Sequence, residues 1–193
     1  LWLSPSKEIS RSPSRPIAQS PHRLLYRPGY GAMAGDWWGE PTGDMRRDDA
    51  GSLVFDAPIL DTAVTLLGLP RARVSTIAGA PLANWTARLE DVAPDGEVSL
   101  VTGGVLNATQ ARSRTDPGRL VPGERYPLEW DLHFATWTWR PGHRIRLALS
   151  NAQFPMIWPT PYPMVSRVVL GSLASSIEIP VVPDQSAYPP PKL

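Results

Sequence analysis

The sequence predicts an all-β fold, a two-sheet antiparallel sandwich, on three observations. Apolar residues alternate with polar ones over short runs, the period-2 pattern of half-buried strands. The 23 prolines and 15 glycines punctuate those runs instead of forming repeats. No succession of strands and long helices occurs, which excludes an α/β catalytic core from these residues.

In chain order, Leu1-Trp2-Leu3-Ser4-Pro5 reads as the end of a strand entering a loop. A first residue other than Met suggests a fragment whose N-terminal portion is missing. From Ser4 to Pro21 the composition is Ser, Pro and Arg rich. Residues 1–21 are therefore expected to be an extended surface connection and 22–183 the sandwich. Ser52–Phe55 is the next strand. Ile59–Leu67 is the one stretch with helical character, weakened by flanking prolines and β-branched residues.

Arg71–Ala78 follows as a strand. Trp85, Ala87 and Leu89 then alternate with Thr86, Arg88 and Glu90 up to Asp95-Gly96, and Val98 and Leu100 lead a second run, which together predict a hairpin. Gly103-Gly104, inside a strand-like run, marks a bulge or a close backbone approach. Trp130, Leu132 and Phe134 alternate with Asp131 and His133, Trp137–Gly142 reads as a turn, and Ile145, Leu147 and Leu149 line one face of His143–Ser150. Arg144, Arg146 and Ser150 line its other face, expected to be wet, and the two strands are expected to be antiparallel neighbours. Ser166–Leu170 and Ser176–Val182 complete a set of roughly eight to ten strands. The tail 184–193, with Pro189-Pro190-Pro191, is a Pro-rich end unable to donate ladder hydrogen bonds.

Lys plus Arg number 19 against 18 Asp plus Glu, a formal charge of +1 that offers no field for nucleic acid or an anionic membrane. No run of about 18 apolar residues is present to span a bilayer, and no signal-peptide layout opens the chain. The absence of cysteine removes disulfides and thiolate zinc sites. A soluble chain is expected, its compartment open with the cytoplasm slightly favoured.

Serine hydrolysis needs a Ser on a sharp elbow, usually in GxSxG, with a His base and an acid to orient it. No GxSxG occurs, and His133 and His143 lie in or beside strands where a structural role is expected. Asp131 and His133 share a face and could bond each other, Arg144 or Arg146. Asp48-Asp49 and Glu90-Asp91 read as loop or turn acids with diverging side chains. No HxxxH, HExxH or calcium-loop pattern and no Gly-rich phosphate loop before a helix appears, so no metal or cofactor is expected, with loop aspartates leaving calcium as the alternative. Asn84-Trp85-Thr86 and Asn107-Ala108-Thr109 match the glycosylation pattern by chance. Of the eight tryptophans, Trp85 and Trp130 are expected in the core. Trp37, Trp38, Trp137 and Trp139 are expected to be exposed enough to stack on a sugar, a peptide or a partner domain.

Several stretches carry a family likeness. Arg88-Leu89-Glu90-Asp91-Val92-Ala93-Pro94-Asp95-Gly96, Gly104-Val105-Leu106-Asn107, Leu120-Val121-Pro122-Gly123-Glu124, Pro141 to Leu147 and Ser150-Asn151-Ala152-Gln153-Phe154-Pro155 occur in an order that resembles the C-terminal domain of the X-Pro dipeptidyl-peptidase and cocaine esterase (CocE/NonD) family. Asp48 to Phe55 and Ala57 to Leu60 resemble its earlier strand. The resemblance implies a jelly-roll, galactose-binding-like sandwich packed against an α/β-hydrolase domain of the same parent chain. It also implies that the catalytic Ser, Asp and His lie upstream, so no catalytic residue is assigned here. Leu53 to Phe55 and the Trp37-Trp38 loop are the expected contacts, helping to wall the active-site mouth. A stand-alone carbohydrate-binding module is the alternative, and a homo-oligomer is possible through the apolar face left uncovered.

Overall fold

The computed structural model describes residues 1–12, 20–38, 43–171 and 174–183. Thirteen strands are present among them, with one short α-helix, α1 (Arg46–Asp49), and two single 3-10 turns at Ala32–Ala34 and Ala108–Gln110. The strands are β1 (Trp2–Leu3), β2 (Ile9–Ser10), β3 (Ser20–Leu25), β4 (Leu53–Asp56), β5 (Val64–Gly68), β6 (Arg71–Ile77) and β7 (Asn84–Val92). They continue with β8 (Val98–Asn107), β9 (Arg125–Asp131), β10 (Ala135–Trp139), β11 (Arg144–Ser150), β12 (Val165–Leu170) and β13 (Ser175–Glu178).

The expected jelly-roll-type antiparallel sandwich is what forms. In the larger sheet β6 is the hub: β9 pairs along one edge, while β13 pairs with Arg71–Val74 and β12 with Ser75–Ile77 on the other. From there β12 leads to β3, and β13 to β1 and β2. The second sheet runs β4-β11-β7-β8, and β5 and β10 make a separate ribbon. Between the sheets lie Ala72, Val74, Leu128, Trp130, Val168 and Leu170 from one side, with Phe55, Trp85, Leu89, Leu147 and Leu149 from the other, all buried.

The hairpin over Asp95-Gly96 is β7–β8, with Gly96 in the left-handed region (φ 90°) that such a turn demands. The paired glycines mark a close approach. A Cβ on Gly104 would stand 2.6 Å from the Asp131 carbonyl oxygen, and one on Gly103 would stand 2.2 Å from the Trp38 ring. At Gly104 the obstacle is backbone, which cannot rotate away. Gly104→Ala is expected to cost about 1–3 kcal/mol by overpacking, read as a lower urea midpoint; an unchanged midpoint would show that the β8–β9 approach is soft.

Several expectations are corrected. The first strands belong to the sandwich: Leu3 and Ile9 are buried in its core, because two apolar side chains suffice to dock short strands at the β13 edge. The expectations for residues 13–19 and the tail 184–193 lie outside the described residues. No helix covers Ile59–Leu67; β-branched Val64 and Thr65 instead pair with β10. The Trp137-Thr138-Trp139 stretch, read as a turn, is strand, since its own alternation places Trp137 and Trp139 inward and Thr138 outward. With β10 interposed, β9 pairs with β6 and β11 with β4 and β7, so β9 and β11 are not neighbours. The alternation also ends early: Leu132 is buried, whereas Phe134 is 64% exposed at the β9–β10 reversal.

Sheet edges are blunted by the chain itself. The His133 N–H donates to the Gly103 carbonyl, the Met45 N–H to Val98 and the Asp56 N–H to Lys7. Strand β9 carries Pro127, which lacks a ladder donor. Among the described residues no helix is long and apolar enough to cross a membrane.

Candidate docking surface and the charge cluster beneath it

The face of β11 expected to be wet is covered. Ala148 and Ser150 are buried, as are Thr86, Arg88 and Glu90 opposite them on β7. The cover consists of residues 27–38 and 43–52 together with the 151–158 loop. Trp38, Ala34 and Met45 pack with Val92, Val98 and Leu100 in a second small apolar cluster, against which Met33 and Met156 rest.

Under this layer lies a cluster of charges in which Arg88 and Arg146 stand on strands as expected, whereas Asp48, Asp49 and Glu90, expected as loop or turn acids, are buried. Arg88, 1% exposed, donates from Nε to Glu90 Oε1 (2.9 Å) and from Nη2 to Asp49 Oδ1 (3.1 Å) and Ser52 Oγ (3.0 Å). Arg146 grips Asp56 with Nε (2.6 Å) and Nη2 (2.8 Å) and reaches Asp49 Oδ2 with Nη1 (2.9 Å). Asp48 accepts the N–H groups of Gly31 (3.0 Å) and Met33 (2.8 Å), tying the covering segment to α1. The two acids of α1 thus diverge as expected, but into the interior. Burial pushes the Glu90 carboxyl well above the usual carboxylate range; Arg88 pulls it down, and neighbouring Asp49 pushes it further up. The carboxylates of Asp56 and Asp49 hold the Arg146 guanidinium above its already high value.

Four of the six side chains expected at an interface or binding platform point inward. Leu53, Phe55, Trp38 and Trp139 are all buried. The inward register of Leu53 and Phe55 against Leu149 and Leu147 explains the first two. Trp38 is seated over Gly103, and the Trp139 indole N–H donates to the Glu90 carbonyl. Trp137 is half-buried, its indole N–H on Asp91 Oδ2 (3.0 Å). Trp37 alone of the six is exposed, 56%, with the His133 ring at its edge 5.1 Å away.

Sequence reasoning missed two groups. Trp158 is 85% exposed and Phe154 41% exposed on the 151–158 loop. That loop is pinned: Asn84 Nδ2 donates to the Trp158 carbonyl, Thr160 Oγ1 to Leu82 and Tyr26 Oη to the Thr160 carbonyl. Trp158 is therefore displayed from a fixed backbone. The sequence signal was the Pro-rich stretch around it, which presets backbone angles.

The second missed group is Asp91 with His143. Asp91 Oδ1 lies 2.8 Å from His143 Nδ1, whereas the expected partners differ: Asp131 pairs with Arg71, and His133 with the tryptophans. Register explains it, since Ile145 opposite Asp91 puts His143 on the same face two residues along. An acid that orients an imidazole is two-thirds of a triad. Among the described residues no serine hydroxyl is hydrogen-bonded to the His143 ring, whose one side-chain hydrogen bond is to Asp91.

On the outer face of β6, Arg71 and Arg73 pair with Asp131, Glu129 and Glu178 on the flanking strands.

Comparison with known proteins agrees with this architecture. Residues 11–177 match the family described as the X-Pro dipeptidyl-peptidase C-terminal non-catalytic domain. The cocaine esterase of Rhodococcus sp. (strain MB1 Bresler) is 29% identical over 109 residues, 56% of this chain and 19% of that protein. A putative serine esterase of Mycobacterium bovis is 28% identical over 158 residues, 72% of this chain and 25% of that protein. Among solved structures, an aminopeptidase from the marine sediment archaeon Thaumarchaeota archaeon superposes with a TM-score of 0.81 at 18% identity, over 95% of this chain and 36% of that one. An α-amino acid ester hydrolase gives 0.78 at 18% identity, over 94% and 36%. The chain thus spans a quarter or less of these curated relatives. With this sandwich and a match over residues 11–177, the chain belongs to the family of X-Pro dipeptidyl-peptidase C-terminal non-catalytic domains.

Proposed function

We propose that this domain docks on the α/β-hydrolase domain of a parent serine hydrolase, acting on X-Pro dipeptides, esters or amides, and helps shape its active-site mouth. The observation that carries this reading is the display of Trp158 and Phe154 on a pinned loop, beside a covering layer that also presents Trp37. A rigid exposed aromatic loses little entropy on binding and is the commonest kind of interface anchor. Three exposed aromatics, Trp37, Phe154 and Trp158, stand on this layer, whereas Arg71 and Arg73 on the outer face of β6 are matched to acids of the flanking strands, which favours the covering layer as the docked side. The same groups are expected to promote self-association of the isolated chain.

The test is association in trans of this chain with the hydrolase region of its parent, followed by calorimetry. Trp158→Ala is expected to weaken binding at least about tenfold while changing the stability of the chain alone by no more than about 0.5 kcal/mol. Trp37→Ala is expected to act in the same direction. Equal affinities for wild type and both variants would refute this docking layer, and a saturable response to a sugar panel in its place would favour the carbohydrate-binding alternative.

A further inference from the structure

We infer that one proton, shared between Glu90 on β7 and Asp49 on α1, latches the covering layer onto the sandwich. The latch follows from the charge cluster alone; its consequence for docking rests on the proposed function.

Start with the acceptors. Both oxygens of Asp49, Asp56 and Asp48 receive donors. Glu90 Oε1 receives Arg88, but no donor reaches the equally buried Oε2. A buried, ionised carboxylate oxygen without a donor is costly. The anomaly disappears if Oε2 carries the proton, because it then donates, and Asp49 is the carboxylate beside it.

Charge counting agrees. Arg88 of β7 and Arg146 of β11 bring two positive charges, and Asp49 of α1 and Asp56 of β4 balance them. Asp48, also on α1, is satisfied by backbone N–H groups of the covering segment. An ionised Glu90 would add a further negative charge in a region closed to water. Like-charged carboxylates sharing a site hold one proton between them for this reason.

When Glu90 loses that proton to solvent, two carboxylates face each other. Glu90 is fixed in the middle of the four-stranded sheet, between β11 and β8. Asp49 sits on a four-residue helix held by side-chain contacts and a few turns. The layer carrying Asp49 is the part that yields, so rising pH loosens the docking side before the sandwich unfolds. The sign is fixed by linkage. The unfolded chain releases this proton near pH 4.3 and the native chain holds it to higher pH, so stability falls as pH rises through that window.

The experiment uses the chain itself. Infrared difference spectra recorded as pH rises, with and without a carbon isotope at the glutamate carboxyls, are expected to show a buried carboxylic-acid band that moves with the label and persists after the exposed glutamates have ionised. Amide exchange at Gly31 and Met33, whose N–H groups Asp48 holds, is expected to lose at least tenfold more protection with rising pH than β7 amides do, after correction for base catalysis. Glu90→Gln, a neutral isostere able to donate to Asp49, is expected to lose the band and flatten that difference. Absence of the band in wild type would overturn the latch whether or not the variant folds, and so would an unchanged exchange profile in a folded Glu90→Gln. Trp158→Ala is expected to leave both readouts intact, so a docking failure with the band present is separable from failure of the latch.

Discussion

Arg88→Ala is expected to lose about 3–5 kcal/mol of folding stability, the loss seen when one partner of a buried charge cluster is removed. The guanidinium is closed off from water and supplies hydrogen bonds to Glu90, Asp49 and Ser52, so truncation strands three acceptors at once. Against a total of about 5–15 kcal/mol for an ordinary domain, that is a third of the stability or more. It should be read as a lower urea midpoint with an unchanged slope. The companion is Arg88→Met with Asp49→Leu, which removes the buried cation together with the carboxylate that balances it and leaves Arg146 on Asp56. This pair should recover part of the loss, because apolar replacement of a whole buried ion pair is often neutral. A single-variant cost below about 1 kcal/mol would mean that water enters the cluster and that the latch reading is wrong. Arg71→Ala, on the solvent-facing ladder of β6, is expected to change the midpoint little.

Trp139→Ala is expected to cost a further, separate 3–5 kcal/mol, about the usual loss for deleting a buried large aromatic. The ring is closed on all sides and its N–H is the donor for the Glu90 carbonyl. Trp139→Phe keeps most of the volume but loses the hydrogen bond to that carbonyl, at a cost of about 0.5–1.5 kcal/mol. The pair of variants separates core from binding platform. A platform residue would lose ligand response and keep its melting temperature; Trp139 is expected to do the reverse.

The strand inventory was legible where one face is buried and the other wet. β9 shows clean alternation, and β6 and the β7–β8 hairpin were readable from period and turn chemistry. The Gly103-Gly104 pair was also readable, since missing side chains inside a strand imply a neighbour that needs the room. Legibility failed where burial is two-sided. Thr86, Arg88, Glu90 and Arg146 are polar, so their strands read as half-wet, although a third layer encloses them. Polar residues can be buried only with partners, and those partners, Asp49, Asp56 and Ser52, lie far away in sequence, where no local pattern connects them. The interface candidates failed for a related reason: Trp38 and Trp139 flank apparent turns, and whether such a residue points in or out depends on a register set by remote strands. Trp158 was overlooked because exposure is a property of the loop's anchoring, which periodicity does not encode.

The pairing of β1 with β13 places the first and last described strands side by side, with the Leu1 nitrogen donating to the Ile177 carbonyl. Seen in time, the large sheet remains incomplete until residues near 178 have been synthesised. The β7–β8 hairpin can form early, but its neighbours in the other sheet must be gathered across most of the chain, and such non-local closure is slow. During that interval the margins later occupied by β1 and β13 stay open to other chains. Production of this domain should therefore depend on temperature and chaperone supply more than its finished stability suggests, and removal of residues 1–10 should raise the aggregated fraction by leaving the β13 margin permanently unpaired.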